Sequence, residues 1–161
     1  LKAPEPLIQK HFSRIMSLKD GTKKMSKSDT SEQSRINLKD NKDIIVNKIK
    51  KAKTDSLPLP ENKSELKDRP EAENLLRIYC SLSGEQIEKI INDFKNKNFS
   101  FLKELISNLI VEKICPIGDE IKKLLNDKSH LINVLKQGTD KANSIASSKL
   151  KKIHEKIGLL S

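Results

Sequence analysis

Residues 100–114 read Ser-Phe-Leu-Lys-Glu-Leu-Ile-Ser-Asn-Leu-Ile-Val-Glu-Lys-Ile. Leu102, Leu105, Ile106, Leu109, Ile110 and Ile114 recur at intervals of three and four, the spacing of one face of an α-helix. Adjacent apolar pairs at 105/106 and 109/110 rule out the strict alternation of a half-buried strand. Ser100 stands where a side-chain cap is expected.

The same period continues on both sides. Downstream, Ile117, Ile121, Leu124 and Leu125 extend the stripe beyond Pro116, which lacks a backbone donor and is expected to bend or break the helix near Glu112. Leu131, Ile132 and Leu135 predict a short helix ending near Gly138. Ala142, Ile145, Ala146, Lys149, Ile153 and Ile157 predict a last one, stopped by Gly158. Upstream, Ile87, Ile90, Ile91 and Phe94 form a helix for which Ser83-Gly84-Glu85-Gln86 reads as a capping box. Before it, Leu75, Ile78, Tyr79 and Leu82 mark a helix opened by Pro70, a residue suited to a first turn. The fold class is therefore mainly α, and after residue 40 no segment alternates with the period of a strand.

Three segments precede this helical series. Residues 55–70 carry Pro58, Pro60 and Pro70 among charges and read as a mobile linker or long loop. Asp40-Asn41-Lys42-Asp43 reads as a cap, followed by a connecting helix within residues 41–54 that buries Ile45, Ile49 and Ala52. Residues 1–40 are the least regular. Ile15-Met16-Ser17-Leu18 is extended chain or a short strand entering a turn at Asp20-Gly21, and residues 23–37 are an aperiodic polar loop.

Composition narrows the chemistry. Of 161 residues, 35% are hydrophobic and 3% aromatic, so any core must be built from Ile and Leu. No apolar run approaches the roughly 20 residues of a membrane span. Cys80 and Cys115 lie far apart, and with His11, His130 and His154 they form no metal-ligand spacing. Neither a disulfide scaffold nor a protein-bound metal is expected. The net charge is +10, which draws polyanions. Residues 1–69 hold 17 Lys+Arg against 10 Asp+Glu, whereas residues 70–161 hold 15 against 12. The front of the chain is the stronger candidate for meeting phosphates.

Within that front lies Lys23-Lys24-Met25-Ser26-Lys27-Ser28-Asp29. Lys24 and Lys27 place two mobile ammonium groups on one aperiodic loop, interleaved with the hydroxyls of Ser26 and Ser28. Cations and hydroxyl donors on a flexible loop can follow the charge of a triphosphate, the kind of contact that typically lowers a barrier by about 3–4 kcal/mol. By these residues alone, a basic, non-catalytic helical module binding RNA in a salt-dependent way is an alternative.

The stretch Met25 to Ser28 with Lys24 resembles the Lys-Met-Ser-Lys-Ser signature of class I aminoacyl-tRNA synthetases letter for letter. Its flanks, Arg14 to Leu18, Asp20 and Thr22 to Asp29, are similar to those of the bacterial tryptophanyl-tRNA synthetase family. So are Ile49 to Ala52, Thr54 to Ser56, Asn74 to Leu76, Ile78-Tyr79, Leu82 to Gly84, Pro116-Ile117 and Gly138 to Ala146. The resemblance implies a cytoplasmic translation enzyme, a homodimer that activates L-tryptophan with ATP and Mg²⁺ and passes it to tRNA(Trp), with no membrane or DNA partner. It implies that Lys24 and Lys27 grip the ATP phosphates and are catalytic. Met25, Ser26 and Ser28 would shape the ATP-binding loop, and Ile15 would meet the adenine through its backbone. It implies further that residues 71–161 form a C-terminal helical domain contacting the anticodon region.

The family's His-Ile-Gly-His-type signature and Rossmann-type catalytic domain, which lie upstream of this segment, are not found in the sequence, which opens at Leu1 rather than Met. The expectation is a C-terminal part of the enzyme. Residues 1–40 are then the end of the catalytic domain, and the chain alone is expected to be inactive.

Overall fold

A computed structural model of the chain describes residues 3–7 and 13–159. Five α-helices are present among them: α1 Lys42–Lys50, α2 Pro70–Ser83, α3 Ile87–Asp93, α4 Phe99–Asn126 and α5 Lys128–Ile157. Two 3₁₀ turns, Glu32–Ser34 and Lys63–Asp68, lie between them. The protein is mainly helical, as the periodicity predicts. The short strand expected at residues 15–18 is reduced, among the described residues, to a single antiparallel bridge between Met16 and Lys24.

The chain divides into two compact units, residues 1–118 and residues 119–161. The core of the first is the set of stripes read from the sequence. Ile45 and Ile49 of α1, Leu75 and Ile78 of α2, Ile90 and Ile91 of α3, and Leu102 and Ile106 of α4 are all buried, and Leu76, outside the predicted stripe, is buried with them. Residues 55–70 contribute Leu59, Pro60 and Leu66 to the same interior. Arg69 pairs with Asp55 at 2.7 Å and donates to the Pro58 carbonyl at 2.7 Å. The Leu59 N–H donates to Lys97 O at 3.1 Å. Cys80 and Cys115 are both free thiols.

Several local expectations are corrected. Ser83 does not cap α3. It is the last residue of α2, which Gly84 ends in the left-handed region at φ 77°, where glycine has no Cβ to strain. Ser83 Oγ accepts from the Glu85 N–H, and Gln86, the residue preceding α3, makes no side-chain cap bond. Asn98 takes the place of Ser100: its Oδ1 accepts from the Phe101 N–H at 3.0 Å, so α4 has begun before Ser100 is reached. Pro116 does not break α4. It sits inside one helix of 28 residues, where the loss of one backbone bond is offset by the neighbours Ile114 and Cys115 packed on the core.

In the second unit, the two helices expected on either side of Gly138 are one helix of 30 residues. A glycine costs about 1 kcal/mol in a helix interior, which is too little to end one without a capping arrangement. Asp127 supplies the actual start, accepting from the His130 N–H at 3.0 Å, and Gly158 at φ 74° supplies the expected stop. No side chain of α5 is buried, and Ile132, Leu135 and Ile145 are each more than half exposed. Among the described residues, no helix is long and apolar enough to cross a membrane.

Candidate phosphate-binding loop

The loop that carries the lysine pair is built at its base by an antiparallel pair of short segments. Ser17 N–H donates to Lys23 O at 2.8 Å, and Met25 N–H donates to Ile15 O at 3.0 Å. These two bonds flank Met16 and Lys24, so this is a non-hydrogen-bonded pair, in which each residue turns its own N–H and C=O away from the other. The turn between them is closed by Asp20, whose Oδ1 accepts from the Thr22 N–H at 3.0 Å and the Thr22 hydroxyl at 2.6 Å. The Thr22 hydroxyl, then its N–H, with Lys23 adding to them, hold the Asp20 carboxyl down to about 2 against a small opposing effect of burial.

Helix α2 closes the base from the other side. Asn74, 4% exposed, accepts from the Met16 N–H through Oδ1 at 2.9 Å. Its Nδ2 donates to Met16 O at 2.9 Å and to Ser17 O at 3.4 Å. One turn earlier, Gly21 meets the backbone of Pro70 and Glu71 so closely that a Cβ there would stand 2.5 Å from Pro70 C. Glu71 pairs with Lys53 at 2.8 Å. That lysine holds the Glu71 carboxyl below its ordinary range; burial opposes the shift and the Gly21 N–H adds to it.

Beyond the base the chain turns out into solvent. Lys24 and Lys27 are exposed, and among the described residues neither has a carboxylate partner. Lys23, by contrast, is tied to Asp20 at 3.3 Å. Ser26 and Ser28 share a hydrogen bond between their hydroxyls at 2.9 Å, and Ser26 Oγ also accepts from the Ser28 N–H at 3.3 Å. Met25 and Ile15 are half-buried, packed against the core. Arg35 fastens the far end, donating to Asp29 O at 2.9 Å and pairing with Glu32.

The structure therefore brings Lys24, Met25, Ser26, Lys27 and Ser28 onto one loop and sets Ile15 across the base from Met25. The loop's own chemistry is electrostatic: two unengaged cations and two hydroxyls, with neither a histidine nor a thiol among its residues 23–29. Cys80 is no candidate nucleophile, because burial pushes its thiol up to about 11. Among the described residues, no group of three or more His, Cys, Asp or Glu is placed to hold a metal. His11 lies outside the described residues, while His130 and His154 are on α5.

The family described as tRNA synthetases class I (W and Y) matches residues 1–110, the stretch that contains the loop, its base and α2. The chain belongs to this family. The chain is 49% identical over 160 residues to the tryptophan–tRNA ligase of Rickettsia felis, covering 99% of this chain and 48% of that protein. It is 45% identical over 156 residues to the tryptophan–tRNA ligase of Rhizobium meliloti, covering 97% of this chain and 44% of the relative. It thus spans about half the length of the curated relatives it matches. Among solved structures, tryptophanyl-tRNA synthetase from Mycoplasma pneumoniae superposes with a TM-score of 0.78 at 28% identity, over 95% of this chain and 46% of that one. The enzyme from Campylobacter jejuni, described as complexed with ADP and tryptophane, gives 0.67 at 26% identity, over 97% of this chain and 47% of the other.

Asn74, Glu71, Gly21 and Arg35 are the residues that reading for chemistry alone passes over. Asn74 leaves a signal: it is an amide lying four residues before Ile78 and next to Leu75, inside an otherwise apolar helical stripe. A polar side chain there must find partners when buried. Gly21 is legible only as a turn residue, since Pro70 and Glu71 are brought to it by tertiary structure; the partners of Arg35, by contrast, lie within six residues of it, at Asp29, Glu32 and Asn37.

Proposed function

We propose that the synthetase chain is the C-terminal part of a cytoplasmic tryptophan–tRNA ligase. The complete enzyme activates L-tryptophan with ATP and transfers it to tRNA(Trp), working as a homodimer. The observation that carries this is the loop itself: Lys24 and Lys27, exposed and without carboxylate partners, stand on a loop fixed at its base. The tryptophan–tRNA ligase relatives and the ADP-bound neighbour support the choice of amino acid and nucleotide.

In this reading Lys24 and Lys27 hold the phosphates of ATP, and Ser26, Ser28 and the backbone of Met25 shape the loop around them. Ile15 presents backbone to the adenine. ATP supplies an adenylyl group to the tryptophan carboxylate, with pyrophosphate leaving. The loop's contribution is to place positive charge where the departing pyrophosphate gathers negative charge, which favours the transition state over the ground state. Mg²⁺ comes with the nucleotide rather than with a protein ligand set.

The division of labour follows from the same reading. Residues 1–40 close the catalytic domain, residues 41–54 connect, residues 55–70 link, and residues 71–161 face the tRNA near its anticodon. The exposed lysines of α5, Lys128, Lys136, Lys141, Lys149, Lys151, Lys152 and Lys156, support an RNA-facing role for that region. Without the amino-acid pocket, the 161-residue chain by itself forms no adenylate.

The test is Lys27→Ala in the complete enzyme, read by tryptophan-dependent ATP–pyrophosphate exchange. The expected loss is about 100- to 1,000-fold in kcat. Unchanged exchange would overturn the assignment.

A further inference from the structure

Met16 is the point at which the loop base and α2 meet. Because Met16 and Lys24 form a non-hydrogen-bonded pair, the N–H and C=O of Met16 point to the outer edge of the bridge. A buried edge with an unpaired donor and acceptor needs a partner. A third strand would ordinarily provide it. Here a single side chain does: the Asn74 amide accepts at 2.9 Å from Met16 N–H and donates at 2.9 Å to Met16 O. An amide group copies both halves of a peptide bond, so Asn74 acts as a one-residue strand.

Three features make this hold specific. Asn74 is 58 residues away from Met16 in sequence, so the contact joins separate parts of the chain. Asn74 is itself buried, on a helix whose Leu75, Leu76 and Ile78 are buried too, and its amide is held at both ends, by acceptor and donor bonds. The neighbouring turn is seated on the start of α2 independently, through Gly21 against Pro70 and Glu71. Lys24 lies directly opposite Met16, and Lys27 follows three residues later.

We infer that Asn74 is a positioning residue for Lys24 and Lys27, fixing through the backbone of Met16 where the two ammonium groups are presented. The inference rests on the ligase reading above. Asn74 is buried and its side-chain bonds go to the backbone of Met16 and Ser17, so it acts through the loop.

The experiment is a double-mutant cycle in the complete enzyme: Asn74→Ala, Lys27→Ala and the pair, read by tryptophan-dependent ATP–pyrophosphate exchange well below the melting midpoint of each. A displaced catalytic group costs up to about 100-fold, so Asn74→Ala is expected to lower kcat by about 10- to 100-fold. The KM for tryptophan should stay within about twofold, because the Asn74 side chain is spent on the backbone of Met16 and Ser17. In the background of Lys27→Ala, removing Asn74 should cost clearly less than in the parent, since one of the two groups it positions is already gone. Amide hydrogen exchange at Met16 should speed up while the α4 core stays protected.

If Lys27→Ala is harmful but the two effects multiply within about twofold, Asn74 is merely structural and the inference falls while the ligase reading stands. If Lys27→Ala leaves exchange unchanged, both fall together. Should Asn74→Ala fail to fold, Asn74→Asp serves in the same cycle. It keeps the size and the acceptor for Met16 N–H but sets a carboxylate oxygen against the carbonyls of Met16 and Ser17, and the same non-multiplicative result is expected.

Discussion

At the base of the signature loop, the N–H and C=O of Met16 are both taken by Asn74, and the Ser17 N–H is taken by Lys23 O. At the tip, by contrast, the hydroxyls of Ser26 and Ser28 bond to each other, Ser26 O accepts from the Asp29 N–H three residues on, and Lys24 and Lys27 have no carboxylate partner among the described residues. The base is therefore held by long-range contacts that only the folded chain can make, and the tip by local ones that any turn could make. A cation meant to meet a substrate phosphate must be unengaged beforehand, because an existing ion pair would have to be broken on binding. It must also be presented from a fixed place, because orienting a free loop costs conformational entropy at each turnover. The division between base and tip meets both demands within about twenty residues.

The comparison breaks most visibly at Lys27. Its loss should remove about 3–4 kcal/mol of transition-state stabilisation while leaving thermal stability within about 0.5 kcal/mol, as for an ordinary surface change. A calorimetric scan beside the exchange assay checks both. A large drop in the melting midpoint would mean that the tip is part of the fold.

The converse prediction concerns Gly21. A methyl group there would press on the backbone of Pro70 and Glu71, which cannot move aside as a flexible side chain can. Gly21→Ala should cost about 1–3 kcal/mol of stability by overpacking, measured by urea denaturation. Equal midpoints for the variant and the parent would show that the base is not seated on α2.

These two residues also mark how far the sequence alone can be read. Lys27 is legible because its neighbours in sequence are its neighbours in the site. The helical core is legible for a similar reason: Leu102, Ile106 and Ile110 fall on one face through the helix period alone. Gly21 is legible only as a turn residue, since the helix it touches begins 49 residues later. The break expected at Gly138 fails for a different reason. Periodicity and glycine position predict a local boundary, but continuing α5 costs only one glycine's worth of propensity. Likewise, the apolar spacing of Ile132, Leu135 and Ile145 predicts a helix correctly but says nothing of what, if anything, covers it.

A smaller effect is expected from acid. Asp20 and Glu71, both at the base, have carboxyls held below their ordinary values of 3.8 and 4.5. A carboxyl whose folded value is lowered stabilises the fold above its unfolded value, and that contribution is lost as pH falls through the folded one. The base should therefore weaken as pH drops below about 4.5, with the Asp20 part lost toward about 2. Glu71→Gln should flatten the fall of the melting midpoint over this window. An identical pH profile for the variant would remove Glu71 from the account of the base.

The smallest effect separates the two kinds of group within the tip. Ser28→Ala removes the hydroxyl pair with Ser26 but keeps the bond from the residue-28 N–H to Ser26 Oγ, so the turn itself should persist. One exposed hydrogen bond is worth at most about 0.5–1.5 kcal/mol, so exchange should fall by no more than about 10-fold, with stability changing by about 0.5 kcal/mol or less. If Ser28→Ala were as damaging as Lys27→Ala, the hydroxyl network rather than the free charge would be holding the phosphates. The contrast between a fixed base and an electrostatic tip would then have to be redrawn around the serines.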